Sequence, residues 1–314
     1  MGLTTQKSDQ KSLYNKYVHI FSTLISLLVA GFIISKWQQV LQTVLRLNIG
    51  WLVAGIGCYI ANYWFRGLRL QRLSGFRLNF LNEACHFSML HGFFSYLLPL
   101  RTGDASLPML LKSTGKLGFK QGLGILVKTR FLDLSMLGIF TVVGAFIGAR
   151  MISAKVQTIW LLTGILLALS FVAIQRIGWI CNYVLKKKFD TEIDLSSELK
   201  IHLCELWMTF FVWVGMYGSQ FCMVRAIGLD LTLAEIIFIS AIQFPLQLLP
   251  VQGLANTGNH EGGWVSAMVL MGFTPDISLD YALISHGVLM VYVGVLGLVA
   301  FMTGCRRGKV EKSL

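Results

Sequence analysis

The sequence predicts an all-α polytopic membrane protein, with six full spans and two re-entrant helical hairpins arranged as an inverted repeat. Three observations carry this. Hydrophobic residues make up 55% of the 314-residue chain and charged residues 13%, at a mean hydropathy of +0.65, outside the usage of a soluble domain. Six apolar segments approach the roughly 20 residues that a helix needs to cross a bilayer. Two further apolar segments are interrupted by proline, glycine and charge, at residues 99–104 and again at 250–261.

Residues 1–16 are polar, hold Lys7, Lys11 and Lys16, and read as a cytoplasmic tail. The first span, 17–35, is followed by Lys36-Trp37-Gln38-Gln39 rather than a small-residue cleavage site, so it is expected to be an uncleaved span and not a signal peptide. The remaining full spans are 49–65, 121–149, 157–175, 201–226 and 281–304. The hairpins cover about 84–116 and 233–272. In each, a longer arm (84–100, then 233–251) meets the proline motif, and an arm too short to cross (105–111, then 262–272) follows. Such backbone enters and leaves on one side. Residues 17–304 therefore form a single transmembrane domain, and 305–314 a basic cytoplasmic tail.

The net charge of +12 is explained by topology without nucleic acid. With the amino terminus inside, most of the 27 lysines and arginines fall on cytoplasmic connections. These include Arg66, Arg69, Arg72 and Arg77 after the second span and the cluster Lys186, Lys187 and Lys188, as the positive-inside bias requires. There they meet anionic headgroups. Crossing by the longer arms would move the lysine cluster outside. Three spans separate the hairpins, so they dip in from opposite faces and meet near the midplane, as in inverted-repeat transporters. The runs beginning at Phe93 and Phe244 share that Phe and a later Leu-Leu-Pro. Both termini are cytoplasmic on this scheme.

The cysteines Cys58, Cys85, Cys181, Cys204, Cys222 and Cys305 lack metal or redox spacing and read as packing residues. Trp37, Trp51, Trp64 and Trp160 stand near span ends as interface anchors.

Ionisable groups in apolar sequence are the candidate site. At the first tip, Arg101 and Asp104 flank Gly103; an Arg fork beside free N–H groups at a helix start suits a phosphate, and an ion pair that closes the hairpin is the alternative. Lys128, Arg130 and Asp133 lie seven to twelve residues into the third span, about 10 to 18 Å deep. Arg130 and Asp133, three apart, can neutralise each other, which leaves Lys128 in need of an acid or an anionic ligand. At the second tip, Gln252, Asn256, His260 and Glu261 stand among four glycines, where backbone can approach a ligand. Glu261 is placed to meet the positive end of the following arm, and His286 of the last span is its candidate titrating partner. His260-Glu261 lacks the second histidine of a zinc helix motif, so no metal is expected. Neither a cofactor nor a nucleotide-binding loop is indicated.

The order Pro99-x-Arg101-x-Gly103-Asp104, then Lys128-Thr129-Arg130-Phe131-Leu132-Asp133, then Pro250, a Gly-rich turn and Gly258-x-x-Glu261 resembles the flippase-like membrane family. That family includes the transmembrane region of lysylphosphatidylglycerol synthases, the multiple peptide resistance factor. The resemblance implies a lipid translocase with inverted re-entrant repeats in a bacterial or archaeal cytoplasmic membrane, and it implicates Arg101, Asp104, Arg130, Asp133 and Glu261. The chain departs from the family pattern at Thr129, where Glu is usual, and at His260, where Arg is usual, so headgroup choice is not carried over.

The expected activity is the movement of a phosphate-bearing lipid between leaflets. Arg101, Lys128 and Arg130 would hold the phosphate, and Asp104, Asp133 and Glu261 would balance them in a near-neutral site open to protonation. The expected partner is a membrane lipid with an anionic headgroup, and self-association is compatible with the chain. The alternatives are a membrane-embedded enzyme acting on a lipid-linked phosphate and a non-transporting subunit of cell-envelope glycolipid assembly.

Overall fold

The computed structural model describes residues 37–147, 153–170, 201–247 and 253–310, together with 23, 27, 31, 34, 172, 173 and 176. Every regular element among the described residues is helical. The amino-terminal tail, most of the first expected span and the 186–200 loop lie outside the described residues.

Helix α1 (Trp37–Leu45) leads to α2 (Ile49–Leu73), 25 residues long, whose start is capped by Asn48 accepting the Trp51 N–H at 3.3 Å. The sequence placed the end of this span at residue 65; the helix continues to Leu73, its buried face carrying on through Gly67, Arg69 and Leu70. A π-helical turn (Phe80–Cys85) then opens α3 (His86–Leu97). Its entry is closed by Asn79, which accepts from the Asn82 N–H, and by Glu83, which accepts from the Asn79 N–H.

Helix α3 stops at Leu98, held extended (ψ 135°) as a residue before proline prefers. Pro99 then starts a 3-10 turn, Pro99–Ala105, which feeds the 8-residue α4 (Ser106–Ser113). Gly103 passes so close to the Phe94 carbonyl that no Cβ fits. Neither α3 nor α4, about 18 and 12 Å long at 1.5 Å per residue, reaches across a bilayer core of about 30 Å.

Helices α5 (Phe119–Ile147) and α6 (Ala154–Ala168) pack together. Helix α7 (Leu203–Ile227) begins with Glu205 accepting the His202 N–H and ends at Gly228 in a left-handed conformation. In α8 (Leu233–Gln247) Thr232 and Glu235 cap the start reciprocally, a capping box. A 3-10 turn (Leu254–Asn256) and α9 (Asn259–Leu270) follow. Helix α10 (Pro275–Val310) is the longest and absorbs much of the expected basic tail. Among the described residues three helical stretches, Phe119–Ile147, Leu203–Ile227 and Pro275–Gly304, are long and apolar enough to cross a membrane.

Helix α2 lies along α7; α3 packs on α10 and α8 on α5; α4 packs on α5 and α9 on α10. The Leu254–Asn256 turn touches both α3 and the Pro99–Ala105 turn, so the two broken tips meet. The main apolar core joins Tyr59 and Tyr63 of α2 with Met223 of α7, Phe238 of α8, Trp264 of α9 and Tyr292 of α10. Outward positions are also apolar, including Leu162 and Leu166 on α6 and Val291, Leu298 and Phe301 on α10, as a lipid-facing surface needs.

The α2 to α7 contact depends on Gly215: a Cβ there would sit 2.9 Å from the Cys58 carbonyl oxygen and 3.0 Å from the Asn62 nitrogen. Small residues let membrane helices approach in this way. Gly215→Val is expected to cost about 1 to 3 kcal/mol by overpacking and to lower Tm in detergent. Gly57→Val, a change into open space on the partner helix α2, should not lower it; equal losses from both would contradict the packing account.

Candidate functional site

One face of α2 sets the site. Tyr59, Asn62, Tyr63, Arg66 and Arg69 recur at helical spacing, so they line a single stripe. That stripe turns toward the first tip, α5 and α7. Between them lies a cavity of about 150 Å³, whose wall includes Arg66, His91, Tyr96, Arg101, Arg130 and Asn256. Smaller chambers of about 120 and 30 Å³ adjoin it. Arg66 and Arg130 line all three.

Two ion pairs hold the arginine cluster in register. Arg69 Nη1 donates to Asp133 Oδ1 at 2.6 Å and to Thr209 Oγ1 at 3.0 Å, tying α2 to α5 and α7. Arg130 Nη2 donates to Asp104 Oδ1, tying α5 to the first tip. Asp104 also accepts from Ser95 Oγ at 2.5 Å and faces Arg101 Nη1 at 3.9 Å. Arg66 lies against the Tyr63 ring, 5.3 Å from its centroid. The Arg130, Asp104 and Arg101 side chains keep 32%, 21% and 22% exposure, so the cluster is reachable.

Several polar atoms in these cavity walls are buried with no hydrogen-bond partner: Arg66 Nε, Arg130 Nε, Tyr96 Oη, Asn62 Oδ1 and Asn256 Oδ1. Buried polar groups normally find partners. Of these, Arg66 Nε, Arg130 Nε and the Tyr96 hydroxyl can donate, and unmet donors of that kind suit an anion.

A second cluster lies behind the second tip. Glu261 Oε2 accepts the Gly258 N–H at 2.7 Å, at the positive end of α9, as the sequence indicated. Its other oxygen is 2.5 Å from His286 Nδ1, and His286 Nε2 donates to the Ala255 carbonyl at 2.7 Å. The His260 ring stacks on His286 with centroids 4.7 Å apart. These three residues are buried and do not line the central cavity, but Tyr96 stands edge-on to His286 at 6.0 Å and does line it.

The sequence-derived set is therefore divided. Arg101, Asp104, Arg130, Asp133 and Asn256 gather at the cavities and their pairs; Glu261, His260 and His286 form the second cluster; Gln252 lies outside the described residues. Lys128 is not brought to the arginines. It stands two residues before Arg130, about 200° around the helix, and lines a separate cavity with Ser74, Arg77 and Gln121. The expected pairing of Arg130 with Asp133 is also replaced, since each takes a partner from another element.

Sequence reasoning missed Arg66 and Arg69, which it assigned to a cytoplasmic connection. Arg69 is 3% exposed. The signal was present in the helical phase: both continue the Tyr59, Asn62 and Tyr63 face. The near-neutral balance changes accordingly. With Lys128 turned away and Glu261 held by His286, the ion pairs of Arg69, Arg101 and Arg130 among the described residues run to Asp104 and Asp133, and the balance at the cavity shifts toward positive charge.

A helical bundle with long apolar helices and a charged interior cavity is a polytopic membrane protein. Residues 19–297 match the family model for the lysylphosphatidylglycerol synthase TM region, and the chain belongs to that family, in agreement with the motif resemblance. No curated protein and no solved structure matches it.

Breaking one partner of a buried ion pair leaves an uncompensated charge, at a cost of about 3 to 5 kcal/mol. Arg69→Ala is expected to lose stability on that scale, measured as a fall in Tm in detergent, and Arg69→Met with Asp133→Leu to recover most of it. A double variant no better than Arg69→Ala would show that the loss comes from packing rather than charge.

Proposed function

We propose that the chain is a lipid translocase of a bacterial or archaeal cytoplasmic membrane, moving a lipid with phosphate on its headgroup between leaflets. One observation supports this above all: Arg66, Arg101 and Arg130, from three separate elements, converge on a cavity whose described lining contains no acidic side chain. Guanidinium forks match phosphate oxygens in pairs. The unmet Arg66 and Arg130 Nε donors and the Tyr96 hydroxyl would complete the cradle, while the apolar chains of the lipid stay in hydrocarbon. In the empty state Arg130 rests on Asp104; an arriving phosphate would take that place, with Asp104 still held by Ser95 and facing Arg101.

The proposed architecture is six full spans and two re-entrant hairpins in an inverted repeat, with both termini cytoplasmic. The packing supports it. Exchanging α2 through α5 with α7 through α10 maps the principal contacts onto themselves: α2 with α7, α3 with α10 against α8 with α5, and α4 with α5 against α9 with α10. Helices α2 and α7 are each 25 residues long.

The transporter reading is favoured over an enzyme on a lipid-linked phosphate because the expected acid and base are engaged elsewhere. Asp104 already accepts from Arg130 and Ser95, and Glu261 and His260 stand behind the cavity wall.

In liposomes of phosphatidylcholine and phosphatidylglycerol, fluorescent phosphatidylglycerol or a labelled polyprenyl phosphate should change leaflet faster with the protein than without. Arg130→Ala and Arg66→Ala should each slow it at least about tenfold, the loss of about 1.4 kcal/mol, and Lys128→Ala should not. Equal movement with and without protein for every anionic lipid would sink the translocase. For topology, Lys187→Cys should stay unreactive toward an external impermeant thiol reagent in intact cells; labelling there would reverse the scheme.

A further inference from the structure

We infer that Glu261 and His286 form a proton-binding site that clamps the second tip, and that lipid movement is coupled to release and rebinding of that proton. The coupling rests on the translocase reading; the proton site itself rests on geometry alone.

The hydrogen-bond partners of His286 require the proton. Nε2 lies 2.7 Å from the Ala255 carbonyl oxygen, which only accepts, so Nε2 carries hydrogen. Nδ1 lies 2.5 Å from Glu261 Oε1. Between these atoms another proton must sit, on the imidazole or on the carboxyl. In either form the pair holds one proton more than a neutral imidazole beside an ionised carboxylate. If that proton leaves to water, two lone pairs face each other at the same distance and the contact opens.

The groups around the pair leave this proton as the one that can be exchanged. On α9, His260 stacks over His286 but its own bonds fix it neutral. Its Nε2 donates to Ser285 Oγ at 3.0 Å, because that hydroxyl donates onward to the Ala282 carbonyl. Its Nδ1 accepts from Gln243 Nε2 at 3.3 Å, and Gln243 Oε1 accepts from Gln220 Nε2. From α3 the Tyr96 ring approaches His286 edge-on; α8 presents the neutral Gln243, and the tip presents Ala255 and Asn256. Among the described residues His286 is the ion-pair partner of Glu261. Asp104 and Asp133 instead face arginines, which do not release protons in this range.

The proton controls a strained turn. Ala255 and Asn256 have φ of 53° and 63°, a left-handed backbone that non-glycine residues adopt only when surroundings hold it. The His286 bond to the Ala255 carbonyl is such a hold. Asn256, the next residue, lines the cavity with Oδ1 buried and unpartnered. After loss of the proton the one remaining imidazole hydrogen can move to Nδ1 and restore the Glu261 bond; Nε2 is then bare, the Ala255 carbonyl is freed, and the turn relaxes and moves Asn256 in the cavity wall. Proton and anion then act on one element and bias each other's binding.

The first tip has the corresponding parts with a permanent charge. Arg101 there has φ 56°. Asp104 near the start of α4 is bound by Arg130 of α5, and Glu261 near the start of α9 by His286 of α10. Arg130 and His286 stand at the same offset from the helix starts Phe119 and Pro275. One clamp carries a fixed cation and the other a proton held between imidazole and carboxyl.

The full chain in phosphatidylcholine and phosphatidylglycerol vesicles tests the coupling, with fluorescent phosphatidylglycerol as the probe and pyranine trapped inside. An imposed pH gradient should raise the leaflet ratio of the probe at least severalfold, a protonophore should abolish the rise, and Glu261→Gln should show no response to the gradient. Lipid movement that ignores the gradient, with unchanged pyranine signal, overturns the coupling and leaves the translocase standing. Absence of any lipid movement defeats the translocase and the coupling together. The proton site is then judged by nitrogen NMR of histidine-labelled protein in micelles. His286, assigned by loss of its signal in His286→Gln, should carry hydrogen on Nε2 and share a proton at Nδ1 with the Glu261 carboxyl, and Glu261→Gln should remove the shared-proton signature. A His286 that carries hydrogen on Nδ1 alone, or that shares no proton with Glu261, overturns the site, and this wild-type measurement stands whether or not the variants fold.

Discussion

Charge carried into an apolar bundle must be compensated there, and the arrangement of this protein follows from that constraint. Water is scarce around a guanidinium group there, so Arg69 and Arg130 draw partners from other parts of the chain. Arg69 pulls α2 against Asp133 of α5 and Thr209 of α7. Arg130 pulls α5 against Asp104 of the first tip. The pairs thus act as ties between elements that are far apart in sequence, and the close α2 to α7 approach at Gly215 brings their faces within reach.

The same constraint shapes the cavity. The arginines outnumber the carboxylates that meet them, and unpartnered donors remain in the wall. The surplus is concentrated beside the broken tips, where irregular backbone leaves room next to polar side chains. Opposite it, the Glu261 and His286 pair sits in a fully packed region with its own carbonyl and amide partners. The two tips therefore present different chemistry on similar backbone: an exposed cluster of fixed charge at one, a buried exchangeable proton at the other.

Much of this was legible in order along the chain. Pro99 and Gly103 marked the first tip because a proline without an N–H and a glycine pressed on the Phe94 carbonyl admit few alternatives. Glu261 with His286 could be anticipated, as a carboxylate at a helix start needs a partner inside apolar sequence. Arg66 and Arg69 were misassigned because a count of apolar residues ends the span at Phe65, whereas helical phase carries the Tyr59 face onward. Lys128 was misassigned for the opposite reason: its depth was considered, and its direction about the helix axis was not. Arg130 and Asp133 share a face, yet proximity on one helix gave way to better partners across the bundle.

By itself the sequence determined the membrane class, the helical segments, both broken tips and most of the residues in the charged interior, because composition, periodicity and helix breakers act locally. Only the tertiary structure decided which acid each arginine meets, that Lys128 turns away, that Arg66 joins the cavity, and that His286 grips the Ala255 carbonyl. Those outcomes depend on the rotation of each helix and on which helices adjoin. Both are settled by packing between segments far apart in the chain, which residue spacing alone does not encode.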